Sequence, residues 1–413
     1  MTTANVFFWF VAGLLPLSAM AFLFASKKAE KLEVQFGRLQ SRPGFFGWYA
    51  VIKLASPALL VGLVCSILNM IGWIHVPGEM LLATAFALGA GSLWLGLKQV
   101  KHDFRARQPV EKTMQTMLFI AAIISILTTV GIVFSVLFES IRFFNIVPLW
   151  DFLTGTTWNP DTAFLIGSGM AEGGAVPEFG SLPIFAGTFM ITIIAMMVAV
   201  PVGLFSAIYM SEYASDGLRT ALKPTLEILA GIPTVVYGFF AAITISPLVV
   251  NIAESFGLHA DFTNALAPGL IMGIMIIPFI SSLSDDVIRA VPQPMRDASL
   301  ALGMTRSETI RHIVLPAALP GIVAAFLLAM SRAIGETMIV VMAAGLRPNL
   351  TANPLEGVTT VTVKIVEALT GDQEFDSAFT LAAFALGLVL LVITLCLNIA
   401  SSIVVRKFRQ RYE

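Results

Sequence analysis

The sequence predicts an all-α integral membrane protein, and its composition and hydropathy carry that prediction. Hydrophobic residues make up 57% of the 413-residue chain and charged residues 12%, with a mean hydropathy of +0.86. One soluble core could not hide this much apolar side chain, so a soluble globular protein is excluded. The apolar residues also gather into long windows, as membrane-spanning helices require.

About nine of these windows are long enough to cross a membrane. At ~1.5 Å rise per residue, roughly 20 apolar residues cross a ~30 Å hydrocarbon layer. The first three windows belong to an N-terminal extension, residues 1–100, and a basic cytoplasmic linker, residues 101–113, leads to six further spans in residues 114–413. The windows lie near residues 5–25, 54–74, 80–97, 114–138, 185–210, 229–250, 265–284, 318–345 and 378–404.

The distribution of Lys and Arg predicts how these helices are oriented. If the amino terminus is outside, the inner segments hold most of the basic residues, including those of 98–112 and 289–311. The outer segments then hold only Arg142, Arg347 and Lys364. By the positive-inside rule, the amino terminus is expected outside and the carboxyl terminus in the cytoplasm. The segment 285–320 is then a cytoplasmic loop.

A polar island at residues 297–316 has the local features of a helix, a turn and a second helix. Pro294 suits the first turn of a helix, and Gly303 can take the left-handed conformation that ends one. Residues 305–308, Thr-Arg-Ser-Glu, have the pattern of a capping box that begins a second short helix. Pro316 and Pro320 are expected to prevent a continuous run into the next span. Such a tethered helix pair suits docking in a cleft of another protein, although an ordinary amphipathic loop has similar caps.

The spacing within this island resembles the cytoplasmic coupling loop of the ABC-importer permeases. Their pattern is Glu-Ala-Ala, three residues, Gly, nine residues, Ile, one residue, Leu-Pro. The resemblance covers about residues 114–413 and implies a six-helix type I permease core that couples to an ATPase through this loop. Asp297 and Ser299 stand where the pattern has Glu and its second Ala, and the other positions match: Ala298, Gly303, Ile313, Leu315 and Pro316.

Three further segments resemble the phosphate importers of this family, in particular the PstC-like member of their paired permease subunits. These segments are residues 154–160, 231–238 and 331–338. The resemblance implies a subunit for ATP-driven import of inorganic phosphate across the bacterial inner membrane. Residues 165–177, rich in Gly and Ala, are expected to enlarge the external loop that contains the first segment.

The resemblance also implies the partners that complete the transporter. They are a second permease subunit, an ATPase dimer and an extracytoplasmic phosphate-binding protein, with no nucleic acid. This chain has no Gly-x-x-x-x-Gly-Lys-Ser/Thr loop to hold nucleotide phosphates, so it is expected to be a transport subunit rather than an enzyme. ATP and magnesium are expected on the ATPase, and no cofactor on this chain. The four histidines show no metal-ligand spacing, so no metal site is expected.

Two ionisable residues inside the 318–345 window are candidates for the anion pathway. A cation in mid-membrane costs about 2.5–3.5 kcal/mol on insertion scales, so Arg332 must face protein or water. Glu336 is four residues later, where one continuous helix would let the two side chains pair. Arginine's planar donors match phosphate oxygens, and Glu336 would weaken the hold on a passing anion. A purely structural ion pair is the alternative for both residues.

Proline and glycine mark expected bends and close contacts in the spans. Pro233 is expected to bend the 229–250 span, and Gly335 to let another helix or the solute approach closely. Gly269 and Gly273 form a small-residue pair that is typical of close helix packing.

Two other functions remain open. Arginine recognises sulfate and molybdate as well as phosphate, so only the resemblance selects phosphate. A proton-coupled secondary transporter or channel, with Glu227, Arg332 and Glu336 as the relay, belongs to a different class. The coupling loop argues against it, because a secondary transporter needs no docking helix with that spacing.

Overall fold

A computed structural model gives the arrangement of these spans and describes residues 3–72, 76–160, 178–371 and 377–409. The predicted enlargement of the external loop, residues 165–177, lies outside the described residues. The chain divides into two compact units, Met1–Gly131 and Ile132–Glu413.

Three long helices and the start of a fourth form the first unit. Small residues bring the first three together, and a Cβ at Gly89 would lie 2.8 Å from the Leu54 carbonyl oxygen. Two of these helices therefore meet backbone to backbone. The four helices are α1 (Thr3–Phe36), α2 (Pro43–Met70), α3 (Gly78–Gln99) and α4 (Arg107–Phe144), which continues into the second unit.

Short helices and long spans alternate in the second unit. The strand β1 (Trp158–Asn159) pairs antiparallel with β2 (Glu178–Phe179). In the described part, π-helical turns at Tyr209–Tyr213, Ala241–Ile245 and Ile310–Val314 interrupt the α-helical runs. The helices are α5 (Leu149–Thr154), α6 (Leu182–Ile208), α7 (Asp216–Gly231), α8 (Thr234–Phe240), α9 (Ser246–Ser255), α10 (Leu266–Arg289), α11 (Gln293–Ala301), α12 (Arg306–Thr309), α13 (Leu315–Ile334), α14 (Met338–Ala343), α15 (Val361–Gly371) and α16 (Ala378–Arg409).

Within the described residues, nine helical segments are long and apolar enough to cross a membrane. Each overlaps one of the nine predicted windows, although the span predicted at 318–345 ends at Ile334, and the predicted fold class is confirmed. Two of them run through π turns, since Thr234–Ser255 joins α8 to α9 and Arg306–Ile334 joins α12 to α13. The helix α7 is not one of these nine segments; it is amphipathic, and none of its residues is buried.

The helices α6 and α10 form the centre of the second unit. Their interface requires glycine, because a Cβ at Gly269 would lie 2.6 Å from Ile194 Cγ2 and one at Gly273 would lie 2.8 Å from the Ala195 carbonyl oxygen. The predicted close packing at these two glycines is confirmed. The apolar core around this interface also takes side chains from α8, α13 and α14.

Two predictions about proline were wrong. Pro233 does not bend a span from within, because α7 ends at Gly231 and Pro233 immediately precedes α8. A proline is tolerated there, since the first N–H groups of a helix have no intrahelical partner. Pro316 and Pro320 do not interrupt the helix either, because the helical segment continues from Arg306 to Ile334. The π turn directly before α13 loosens the helix where Pro316, which lacks an N–H donor, enters it.

Candidate functional site

The polar loop between α10 and α13 folds as the predicted helix, turn and helix. Gly303 has φ = +86°, the left-handed conformation predicted for it. The Thr305 hydroxyl accepts from the Glu308 N–H at 3.3 Å, and the Glu308 carboxylate accepts from the Thr305 N–H at 2.8 Å. These bonds are the predicted capping box of α12. No described atom lies within 4 Å of a Cβ at Gly303, so the backbone conformation alone selects glycine.

Ser299, which departs from the coupling pattern, is buried between α11 and α12. Its hydroxyl lies 2.9 Å from the Thr309 hydroxyl and 3.0 Å from the Met304 sulfur. An alanine at this position could make neither contact. The serine therefore fastens the two helices of the loop to each other.

The outer face of the loop is open to solvent. Asp297 and Ala298 are exposed on α11, and Leu302, just before the turn, is 85% exposed. Ile313 and Leu315 are half-buried. Pro316 is exposed in the first turn of α13. The loop thus presents a mixed polar and apolar surface at its tip and keeps its second half against the span. Its coupling role stays a prediction.

Two cation contacts attach this loop to the π turn that follows α6. Arg296 Nη1 lies 3.0 Å from Glu212 Oε1, and these side chains are only 13% and 9% exposed. Arg296 Nη2 also donates to the Ile288 carbonyl oxygen of α10 at 2.6 Å. The Arg306 guanidinium lies 5.3 Å from the centre of the Tyr213 ring. Both short helices of the loop are therefore attached to the same turn.

A buried carboxylate organises the neighbouring end of α10. The Asp285 side chain is 1% exposed, and its oxygens lie 2.9 Å from Arg219 Nη2, 3.1 Å from Arg289 Nε and 3.6 Å from Lys223 Nζ. A buried acid requires such partners to remain charged. Arg219 and Lys223 belong to α7, which buries none of its own residues, so charge holds α7 against α10.

Arg332 lies two residues before the end of α13, and its side chain is exposed. Its guanidinium is 5.9 Å from the centre of the Phe279 ring of α10. Among the described residues, no carboxylate forms an ion pair with it. A cation exposed on a membrane span must meet water or a partner chain rather than lipid. Arg332 therefore faces water or a partner chain.

The predicted pairing of Arg332 with Glu336 along one helix face was wrong. The helix α13 ends at Ile334 with Gly335 as its cap, and α14 begins only at Met338. Across this break, a separation of four residues no longer places two side chains on one face. The expected close approach of a second helix at Gly335 is also not seen, because in the described structure only carbonyl oxygens of the preceding turn lie within 4 Å of a Cβ there. That Arg332 and Glu336 line an anion pathway stays a prediction.

A segment rich in hydroxyl groups contacts the break after α13. The Thr362 hydroxyl donates to the Glu336 carbonyl oxygen at 2.9 Å. The Thr188 hydroxyl of α6 accepts from the Val361 N–H at 3.0 Å. The Thr359 hydroxyl is buried and has no hydrogen-bond partner among the described residues. The Thr362 hydroxyl therefore lies at Glu336, and the first residue of α15 is attached to α6.

Sequence reasoning missed the charges that hold the loop in place. Asp285 and Arg289 are four residues apart after an apolar window, a pattern that indicates only a solvated helix end. Glu212 follows another window, and no local pattern connects it with Arg296. These contacts join residues that are far apart along the chain, so their signal lies in the fold.

A family model described as binding-protein-dependent transport system inner membrane component matches residues 199–410, which include the loop, its attachments and α13. The chain belongs to this family. The predicted resemblance is confirmed, and the chain is a multi-pass membrane protein that acts as a transport subunit. A second model, described as phosphate ATP-binding cassette transporter, matches residues 11–72.

Curated relatives agree with the family model. The probable ABC transporter permease protein YqgH of Bacillus subtilis is 34% identical over 244 residues, 59% of this chain and 74% of that protein. The phosphate transport system permease protein PstC 1 of Mycobacterium tuberculosis is 35% identical over 277 residues, 62% of this chain and 81% of that protein. A chain of a bacterial alginate ABC transporter, in a crystal structure with its pentasaccharide-bound periplasmic protein, aligns at 15% identity with a TM-score of 0.47 over 71% of this chain and 96% of its own.

Proposed function

We propose that this chain is a permease subunit of an ATP-driven importer of inorganic phosphate. The observation that carries the proposal is the exposed helix–turn–helix at 293–309, attached to α6 and α10, in a chain without a nucleotide-binding loop. The substrate is supported by the relatives named as phosphate permeases and by the phosphate-transporter model over residues 11–72.

The loop couples the chain to a separate ATPase dimer. The exposed tip around Leu302 and the open face of α11 offer both apolar and polar contacts to a cleft on the ATPase. Arg296 joins α11 to Glu212 beyond α6 and to Ile288 of α10. A displacement of the loop therefore moves the two central spans, whose glycine interface leaves little room for independent sliding.

Gly303→Val should weaken this coupling. A β-branched residue at φ = +86° is disfavoured by about 1–2 kcal/mol, so the angle between α11 and α12 should change. Gly303→Asn is the matched control, because asparagine tolerates the left-handed region. The measurement is phosphate uptake per ATP hydrolysed in the reconstituted complex. Normal coupling by a correctly assembled Gly303→Val complex would remove the turn from the mechanism.

Arg332 is the cation that offsets the loss of phosphate hydration along the path. Its guanidinium presents paired donors that match phosphate oxygens, and its exposure on α13 leaves those donors free. We place this face against the second permease subunit, so that the path lies between two chains. Glu336, at the break that follows, limits how tightly the anion is held.

The amino terminus lies outside, and the coupling loop and the carboxyl terminus lie in the cytoplasm, so an extracytoplasmic phosphate-binding protein delivers the anion to the outer face. In a background without Cys65 and Cys396, Leu350→Cys should be labelled by an impermeant thiol reagent applied to intact cells. Arg306→Cys should be labelled only after permeabilisation. The opposite labelling pattern would invert the orientation and place the loop on the wrong side for an ATPase.

Arg332→Gln should lower phosphate uptake by about tenfold or more at equal membrane abundance, because a charge-assisted contact to the anion is lost. Arg332→Lys should retain part of the activity, since it keeps the charge but loses the planar fork. Arg347→Gln, which also removes an exposed arginine, should transport normally. Uptake is measured in proteoliposomes that contain both permease subunits, the ATPase and the binding protein.

The same vesicles separate the proposal from its alternatives. Phosphate should accumulate only when ATP is supplied on the side of the membrane where the ATPase is bound. Excess sulfate or molybdate should not compete with phosphate for uptake. Accumulation of sulfate or molybdate in place of phosphate would show that the substrate is another oxyanion. Uptake driven by a proton gradient without ATP would show that the chain is a proton-coupled transporter. Wild-type uptake by Arg332→Gln would leave this arginine with a structural role only.

A further inference from the structure

The first unit contains a pocket that the proposed transport function does not use. It has a volume of about 550 Å³, within the range of ordinary ligand sites. The N-terminal half of α2 forms one wall, and the segment after α3 with the first turns of α4 forms the other. The residues that define its chemistry are Tyr49, Lys53, Ser56, Phe104, Arg105 and Gln108.

Lys53 lies in the N-terminal half of α2 and supplies one cation of the pocket. It lies in the candidate span Pro43–Asn69, and it forms no ion pair with any described residue. Its stem packs at Gly96 of α3, where a Cβ would lie 3.0 Å from Lys53 Cγ. The ammonium lies 5.7 Å from the centre of the Tyr49 ring, a contact that leaves its hydrogen-bond donors unused. With no ion pair among the described residues, the Lys53 ammonium can donate to a ligand in the pocket.

Arg105 supplies a second cation from the opposite wall. Its Nε donates to Gln40 Oε1 at 2.8 Å, which fixes the guanidinium plane, and no described carboxylate pairs with it. Asp103 is the one acid in the lining, but its side chain is 93% exposed and lies 3.1 Å from His102 Nδ1. Two cations and one acid therefore line the pocket, which gives it a net positive charge.

We propose that this pocket binds a phosphate group. Lys53 and Arg105 approach from two walls, and an ammonium with a planar guanidinium is the donor set that phosphate oxygens favour. The group belongs either to the headgroup of an anionic phospholipid or to inorganic phosphate. The lipid source has structural support, because α2 continues from Ser56 with a face whose leucines are exposed. These are Leu59, Leu60 and Leu63, at 46%, 66% and 61% exposure, where acyl chains can lie.

The test uses the full-length chain, purified in detergent and stripped of lipid. Phosphatidylglycerol and inorganic phosphate are titrated separately, and binding is followed by native mass spectrometry for the lipid and by equilibrium dialysis for the ion. The combined variant Lys53→Gln with Arg105→Gln should weaken binding of the true source by about tenfold or more. Lys31→Gln, an exposed lysine of α1 outside the pocket, should bind like the wild type.

A charge-preserving variant keeps the result interpretable if the double neutralisation unfolds the first unit. Lys53→Arg with Arg105→Lys retains both cations and should bind within a few-fold of the wild type. Loss of only the phosphatidylglycerol signal in the glutamine variant identifies the lipid as the source, and loss of only the inorganic phosphate signal identifies the free ion. If neither probe distinguishes the glutamine variant from Lys31→Gln, the pocket holds no phosphate group. The readout here is binding to the isolated chain, whereas the readout for Arg332 is uptake by the reconstituted complex, so failure of this proposal is separable from failure of the transport proposal.

Discussion

A buried carboxylate fixes the arrangement of the helices at the carboxyl-terminal end of α10. The loop begins at this end. Three cationic side chains, those of Arg219, Lys223 and Arg289, surround the buried Asp285 carboxylate and offset the cost of its burial. The same contacts attach α7, none of whose residues is fully buried, to α10. The loop begins directly after this end of α10, so its starting point is fixed by the same charge.

A second buried contact carries the constraint into the loop itself. Arg296 lies between Glu212 and the Ile288 carbonyl oxygen, while its Nε makes no hydrogen bond within the described residues. One ion pair and one short hydrogen bond of Arg296 thus hold α11 in place, and not every donor of this guanidinium has a hydrogen-bond partner. Below it, an apolar cluster that includes Ala207, Ile288 and Val314 joins α6, α10 and the segment that leads into α13. The loop is therefore attached to the core both by charge and by apolar contacts, as the proposed coupling requires.

Local patterns in the sequence predicted the spans, the turn at Gly303 and the capping box at Thr305, because each depends on neighbouring residues. The spacing of the coupling pattern predicted the family for the same reason. The placement of Glu336 could not be predicted, since whether Gly335 continues or ends a helix depends on tertiary packing. The partners of Asp285 lie on another helix, and only the fold brings them together.

In the proposed coupling, a displacement of the loop moves the membrane core through the contact between Arg296 and Glu212. The most direct measurement is the number of phosphate ions transported per ATP hydrolysed by the reconstituted complex with Arg296→Gln, Glu212→Gln and both changes together. Each single variant should have a lower ratio with ATP hydrolysis retained. The double variant should be less impaired than the sum of the two single changes, because no unpaired charge remains buried. A wild-type ratio in both single variants, at normal assembly, would contradict the proposed coupling.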